Sequence, residues 1–127
     1  MRLFYQKDAA DCGPACLAMI LKHYGLFPNM DRLRQICGLS KDGVSLLGIS
    51  IAAEEIGVRT VGGRMTFETL SSEASLPCIV HWDQNHFVVV YKIKKHSKGR
   101  YSIHVADPGK GFIIYSKKEF CEHWAST

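Results

Sequence analysis

Residues 6–20 read QKDAADCGPACLAMI, a stretch in which a polar loop turns into the apolar start of a helix. The first turn of a helix has unsatisfied backbone N–H groups and the positive end of the macrodipole, and both favour a thiolate. Cys12 lies at this point, so the sequence predicts a reactive cysteine at the head of a helix over residues 13–24, which ends at Gly25. The apolar face of that helix consists of Cys16, Leu17, Met19, Ile20 and Leu21.

The rest of the first half also has a helical pattern. Asn29 can cap a second helix that stops at Gly38, and Ser45 can cap a third helix that ends at Gly57. The third helix has a broad apolar face, and a short turn of helix is expected around residues 67–70. The sequence therefore predicts a group of helices ahead of any strand.

The second half alternates strand and turn signals. Strands are predicted over residues 78–82, 86–93, 101–106 and 112–115, with turns at DQN (83–85) and DPGKG (107–111). Ser116 and Glu119 form a capping-box pattern that opens a last helix through Trp124. Helices followed by hairpin-linked strands predict an α+β fold, with helices packed on one face of an antiparallel sheet. The length of 127 residues suits one domain, so residues 1–127 are expected to be a single domain.

Two polar residues stand at adjoining strand ends. His86 begins one predicted strand, and Asp107 follows the strand that is reached through the hairpin at residues 92–100. In an antiparallel pair, the start of one strand lies beside the end of the next. We therefore expect His86 and Asp107 to be neighbours, whatever the rest of the fold is.

Cysteine, histidine and aspartate at the ends of elements are the components of a thiol hydrolase. In this interpretation Cys12 attacks a peptide carbonyl, His86 takes up its proton and later protonates the leaving amine, and Asp107 orients the imidazole. Gln6 precedes Cys12 by a short loop, so its carboxamide can serve as an oxyanion donor, together with the Cys12 backbone N–H. Taken alone, each of these residues also has a purely structural interpretation.

His81 is the rival for the general base, because it lies close before His86 in the same region. An odd separation puts the two side chains on opposite faces of a continuous strand, but the turn at residues 83–85 breaks the strand and leaves the choice open. A metal site is disfavoured, since Cys12 and Cys16 lack the second ligand pair that zinc sites usually show. No metal is expected.

Composition narrows the class of protein further. The 5 cysteines are odd in number and irregularly spaced, which is typical of a reducing compartment and not of a disulfide framework. The net charge of +4 is too small to indicate nucleic-acid binding. The dense basic stretch at residues 92–100 is interpreted as a solvated hairpin loop, with a weak contact to membrane headgroups as the alternative. No apolar run approaches the roughly 20 residues that span a bilayer, and no signal peptide is evident, so we expect a soluble chain made in the cytoplasm.

Three motifs, in order along the chain, resemble those of a known family. Residues 6–20 resemble the cysteine motif of the C39 peptidases, the N-terminal domains of bacteriocin- and peptide-exporting ABC transporters. HWDQNHFVV at residues 81–89 resembles the histidine motif of that family, and VADPGKG at residues 105–111 resembles its aspartate motif. Tyr24-Gly25, residues 42–45 and the ending at residues 119–124 also fit, so the resemblance covers essentially the whole chain.

The resemblance implies a papain-like α+β fold, with N-terminal helices packed on a C-terminal antiparallel sheet. It implies Cys12 as nucleophile, His86 as base, Asp107 as orienter and Gln6 as oxyanion donor. It also implies a substrate, namely a precursor peptide cut after a double-glycine-type site such as Gly-Gly or Gly-Ala. An amphipathic leader helix would dock its apolar side in a groove of the peptidase.

The partners implied by the resemblance are the transmembrane and nucleotide-binding domains of a parent ABC transporter, on the cytoplasmic side of a bacterial membrane. No cofactor is expected in the peptidase domain, since ATP acts only in the nucleotide-binding domain. Two alternatives remain open. One is a catalytically silent domain that only binds leader peptides and recruits cargo, and the other is a hydrolase or transferase of the same fold with another substrate.

Overall fold

The computed structural model describes residues 1–41 and 43–124, and within them it contains five α-helices. Their bounds are Cys12–His23 (α1), Met30–Ile36 (α2), Leu46–Ile56 (α3), Phe67–Glu73 (α4) and Lys117–His123 (α5). A 3-10 turn, Ala9–Asp11, leads directly into α1. Each predicted helix is found, with ends that differ from prediction by a few residues at most. Asp42, in the family-like segment at residues 42–45, lies outside the described residues.

The helices begin and end at the residues that the sequence marks for this purpose. The side chains of Asn29 and Ser45 accept hydrogen bonds from the first turns of α2 and α3, so both predicted N-caps are confirmed. Ser116 and its partner in the first turn of α5 form the predicted capping box. Gly25 and Gly57 follow α1 and α3 with φ of 79° and 102°, a conformation that glycine adopts without steric cost.

The strands form one antiparallel sheet in the order β1-β2-β3-β4. Their bounds are Cys78–Trp82 (β1), His86–Lys95 (β2), Tyr101–Asp107 (β3) and Gly111–Tyr115 (β4). β2 runs two residues beyond its predicted end at residue 93, because the hairpin continues to pair until Lys95 lies opposite Tyr101. β3 extends to Asp107, which pairs with Gly111 in β4. Asp107 is thus the last residue of β3 and also the first residue of the predicted turn, because the Lys110 N–H donates to its carbonyl at 3.1 Å.

Both faces of the sheet are covered by helices. The predicted layer of α1, α2 and α3 packs on one face, which includes Phe87, Val89 and Ala106. A smaller layer, α4 and α5, packs on the other face against Val88 and Val90. Successive side chains of a strand point to opposite faces, so the apolar run in β2 has two buried sides and requires a cover on each.

The end of α5 is joined to β1. Trp82, the last residue of β1, makes an isolated β-bridge with Trp124, and the Asp83 N–H donates a hydrogen bond of 2.8 Å to the His123 carbonyl. The ring of Trp82 stacks on that of His123 with a centroid distance of 5.0 Å. Trp82 also lies opposite His86 in the β1–β2 ladder. One residue therefore joins the C-terminal helix to the strand that begins with His86.

Across the described ranges, 1–41 and 43–124, every helix is too short or too polar to cross a bilayer.

Candidate active site

Cys12 is the first residue of α1 and is only 4% exposed. The helix behind it is buried without interruption as far as Leu21, and it packs on the sheet face that includes Val89. Gly13 lies against Val44, with no room for a Cβ atom. The start of α1 is therefore held on both sides, by the sheet and by the segment that leads into α3.

His86 and Asp107 lie together, as their positions at adjoining strand ends predict. His86 Nε2 is 2.8 Å from Asp107 Oδ1. The ladder pairs Val89 with Ala106, so the last residue of β3 lies across from the first residues of β2. The Asp107 side chain is 2% exposed and that of His86 is 22% exposed, so the pair is largely shielded from water while the imidazole keeps one open edge.

The Cys12 thiol completes the cluster. The hydrogen bond to Asp107, followed by the interaction with the Cys12 thiol, outweighs the effect of burial and raises the pKa of His86 from 6.5 to about 9. Because Asp107 engages Nε2, Nδ1 is the ring nitrogen that remains for the thiol. A thiol, an imidazole and a carboxylate placed in this way could act as nucleophile, base and orienting group.

Asp107 stays ionised beside this imidazole. Burial alone would raise the pKa of Asp107, but hydrogen bonds from His86 and from the Gly109 backbone hold that pKa below its usual 3.8. The Gly109 N–H donates to Asp107 Oδ1 at 2.8 Å. An ionised carboxylate next to a histidine with a raised pKa favours the imidazolium form at neutral pH. A positive imidazolium is the partner that stabilises a thiolate.

Gln6 lies in the same region and is held by two hydrogen bonds. Its backbone N–H donates to the Pro108 carbonyl at 2.9 Å, and its Nε2 donates to the Asp8 carbonyl at 2.9 Å. Its Oε1 is buried and has no hydrogen-bond partner among the described residues. A Cβ atom on Gly109 would be 3.2 Å from that oxygen. Since a carboxamide nitrogen carries a second N–H, one donor of Gln6 remains for a ligand.

The rival His81 is engaged elsewhere. His81 Nε2 lies 2.6 Å from the Gln84 carbonyl, and its ring stacks on Phe87 with a centroid distance of 5.2 Å. The turn between β1 and β2 breaks the strand as expected, with Asp83 and Gln84 at φ of 49° and 70°. The structure thus pairs His86, and not His81, with Asp107.

The other cysteines differ from Cys12 in their surroundings. All 5 are free thiols. Burial, followed by the charges of Cys12 and Asp107, raises the pKa of Cys16 strongly. Burial raises the pKa of Cys37 to about 11, with a contribution from Asp11, and it raises that of Cys78 to about 12. These thiols stay protonated at neutral pH, which fits the packing role predicted for them.

One charged pair near the site has no counterpart in the sequence analysis. Asp11, which precedes Cys12, is 1% exposed and forms a bidentate ion pair with Arg34 of α2. Asp11 is part of the quoted motif, but sequence does not reveal a partner 23 residues away. In the sequence, Gly109 likewise indicates only a turn. Its missing Cβ, which makes room for Gln6, becomes visible only in three dimensions.

Within residues 1–41 and 43–124, no group of three or more His, Cys, Asp or Glu side chains is arranged to hold a metal ion.

The proton on His86 links the site to stability. The folded protein keeps this proton up to a pH of about 9, whereas the unfolded chain releases it near 6.5. The stabilisation is complete below pH 6.5 and is lost as the pH rises towards 9, by roughly 3 kcal/mol in total. Urea unfolding of the wild type and of His86→Gln across this range measures it. We expect the difference in unfolding free energy between the two proteins to shrink with rising pH, and a constant difference would contradict the assignment.

Comparison with known proteins gives consistent results. The model of the Peptidase C39 family matches residues 1–127. The Lactococcin-G-processing and transport ATP-binding protein LagD of Lactococcus lactis subsp. lactis is 39% identical over 131 residues, which cover 99% of this chain and 18% of LagD. The Colicin V secretion/processing ATP-binding protein CvaB of Escherichia coli is 36% identical over 125 residues, which cover 98% of this chain and 17% of CvaB. The chain thus spans less than a fifth of the length of these relatives.

Solved structures are similar over nearly the whole chain. A double-glycine-motif protease from an AMS/PCAT transporter, crystallised in complex with the leader peptide, has a TM-score of 0.91 and 34% identity, and the match covers 98% of this chain and 86% of that one. The peptidase domain of Streptococcus ComA, a bi-functional ABC transporter of a quorum-sensing pathway, has a TM-score of 0.82 and 30% identity, with 98% and 93% covered.

Proposed function

This chain belongs to the peptidase C39 family, and on that premise we propose that it is a cysteine endopeptidase whose nucleophile is Cys12. Its fold is the papain-like α+β fold of C39 peptidase domains. The proposed substrate is a precursor peptide, cut after a double-glycine-type site (Gly-Gly or Gly-Ala) so that the leader is removed. In this proposal residues 1–127 are a single peptidase domain, and cleavage is coupled to export by an ABC transporter.

One observation carries the proposal: three residues from separate elements meet in the order that thiol catalysis needs. His86 Nε2 is 2.8 Å from Asp107 Oδ1, and the Cys12 thiol at the start of α1 contributes to the raised pKa of His86. The pKa of His86, raised to about 9, supports a charged imidazolium beside the sulfur. A purely structural cysteine at a helix start does not require a half-buried histidine that is paired with a buried carboxylate.

The first half of the proposed reaction forms a thioester. The sulfur of Cys12 attacks the carbonyl carbon of the second small residue, while the thiol proton resides on His86. The carbonyl oxygen of the substrate becomes an oxyanion, which accepts hydrogen bonds from Gln6 Nε2 and from the Cys12 backbone N–H. The intermediate then collapses as the C–N bond breaks, and His86 gives its proton to the leaving amine of the core peptide.

The second half releases the leader. A water molecule gives a proton to His86 and attacks the thioester carbonyl, and a second tetrahedral oxyanion forms in the same place. When this intermediate collapses, the C–S bond breaks and the leader leaves as a carboxylic acid, while Cys12 regains its proton from His86. Asp107 keeps the imidazole oriented through both halves, since it stays hydrogen-bonded to Nε2.

The wider setting of this proposal follows the relatives. LagD and CvaB combine processing with transport and ATP binding in one longer protein. We propose that this chain works beside the transmembrane and nucleotide-binding domains of such a transporter, at the cytoplasmic side of a bacterial membrane. The proposed peptidase chemistry uses protein groups and water and involves no cofactor, and ATP would act in the nucleotide-binding domain. An amphipathic leader on the precursor is the proposed recognition element.

A panel of precursor peptides tests the proposal, among them those of lactococcin G and colicin V. Mass spectrometry should show two products, with the leader ending at the second small residue. A matched peptide with leucine at that position should stay intact, because the proposed specificity is for a small residue before the cut bond. Binding of the precursors without any cleavage would replace the proposal by a leader-binding, cargo-recruiting domain.

Gln6→Ala should lower turnover by about a hundredfold or more and leave leader affinity unchanged, because an oxyanion donor acts only in the transition state. Gln6→Glu keeps the shape but removes the N–H donor, so a similar loss is expected. Gln35→Ala is the matched control, because Gln35 is an exposed glutamine on α2. Unchanged turnover in Gln6→Ala would remove Gln6 from the mechanism.

A further inference from the structure

The buried carboxylate of Asp11 is fully satisfied by its neighbours, although the proposed reaction makes no use of it. Arg34 Nε donates to Asp11 Oδ1 at 2.7 Å and Arg34 Nη2 donates to Oδ2 at 3.0 Å. The Lys7 backbone N–H donates to Oδ2 at 2.9 Å. A bidentate guanidinium pair fixes geometry as well as charge, because two parallel hydrogen bonds allow a single orientation.

These bonds tie together the two ends of the loop before α1. Lys7 adjoins Gln6, and Asp11 adjoins Cys12, so the bond from Lys7 to Asp11 closes the loop between the oxyanion donor and the nucleophile. Arg34 then attaches this closed loop to α2, in the helical layer on the sheet. The distance between Gln6 and Cys12 thus depends on Arg34, which is not part of the proposed reaction.

The charge of Asp11 matters as well as its geometry. Burial alone would raise the pKa of Asp11, but the hydrogen bonds from Arg34 and Lys7 hold it below its usual 3.8. Asp11 directly precedes Cys12 in the chain, so an uncompensated carboxylate at this position would oppose the formation of a thiolate. The positive charge of Arg34 offsets the negative charge of Asp11 and so reduces this opposition.

We propose that Asp11 and Arg34 are a positioning pair, which holds Gln6 and Cys12 in their catalytic relation and neutralises the charge next to the thiol. This inference rests on the proposed function. Arg34 also contacts Asp31 through Nη1 at 3.1 Å, but the Asp31 side chain is 96% exposed. Asp31→Asn is therefore the matched control, since it removes a carboxylate from the same guanidinium.

The kinetic test uses a cleaved precursor peptide. Asp11→Ala should lower kcat by about thirtyfold or more and change KM by about twofold at most, whereas Asp31→Asn should change neither by more than about twofold. In a Gln6→Ala background, the further loss caused by Asp11→Ala should shrink to about a third or less of its size in the wild type, because the donor that it positions is gone. Losses that multiply independently, or a raised KM at constant kcat, would overturn the proposal.

A second variant covers the case in which Asp11→Ala fails to fold. Arg34→Lys keeps the positive charge but loses the guanidinium fork, so we expect an intermediate loss of kcat of about fivefold to tenfold. Circular dichroism at the assay temperature checks that each variant is folded. A folded Arg34→Lys with wild-type kcat would overturn the geometric half of the proposal.

Alkylation tests the charge without any peptide substrate, so a failure here is distinct from a failure of the proposed function. Iodoacetamide alkylates the thiolate and releases iodide, and peptide mass spectrometry follows Cys12 against the exposed Cys121 as an internal standard. Arg34→Gln should slow the alkylation of Cys12 about threefold or more, and Asp11→Asn in the same chain should restore it. Equal rates in Arg34→Gln and the wild type would overturn the charge half.

Discussion

Cys12→Ala should reduce the release of leader from a precursor peptide by about ten-thousandfold or more, to a rate that is indistinguishable from the reaction without protein. The reason is that the proposed thioester needs the sulfur, and no other thiol can take its place. Cys16 is one helical turn away but fully buried, and burial raises its pKa strongly. Chromatography of the products over time measures the loss, and affinity for the precursor should persist because the backbone is unchanged.

Cys121→Ala is the control for this experiment, because Cys121 is the exposed thiol of the chain. It should cleave at the wild-type rate. Cleavage that survives in Cys12→Ala would falsify the assignment of the nucleophile, and an intact thioester trapped on another cysteine would identify the replacement.

His86→Gln should lower kcat by about a thousandfold or more, since general acid–base catalysis and the stabilisation of the thiolate are lost together. His81→Gln should retain activity within about threefold, because His81 bonds to the Gln84 carbonyl and stacks on Phe87 instead of facing Asp107. Steady-state rates on one precursor compare the two. An equal loss in both variants, with both folded, would reopen the choice of the base.

The juxtaposition of His86 and Asp107 could be predicted from sequence because it depends on one antiparallel hairpin. A hairpin fixes which strand ends meet, and the turn residues that define it are local. The starts of α2, α3 and α5 could be predicted for a similar reason, because an N-cap is a contact between residues three apart. Such contacts need no knowledge of the remaining fold.

Contacts between distant segments could not be predicted. In the sequence, Arg34 is one of several polar residues on a predicted helix. Its contact with Asp11 depends on how α2 packs beside the loop before α1, which no local pattern indicates. The packing of α4 and α5 on the second sheet face could not be predicted for the same reason. The apolar run in β2 indicates that both of its sides are buried, but it does not indicate which elements cover them. The choice between His81 and His86 depended on how sharply the turn at Asp83 and Gln84 bends.

The bridge between Trp82 and Trp124 mechanically couples the backbone at Trp124 to β1, the strand that lies beside His86. Because Trp82 lies opposite His86, a force on the backbone at Trp124 is transmitted to His86 across two neighbouring strand spacings, each of about 4.8 Å. Force or torsion applied at this point would therefore act on the orientation of the imidazole more directly than on the thiol. A fluorescent protein or surface anchor fused after Trp124 would transmit mechanical force to His86. An immobilised sensor built from this domain should therefore be attached through its N-terminal side.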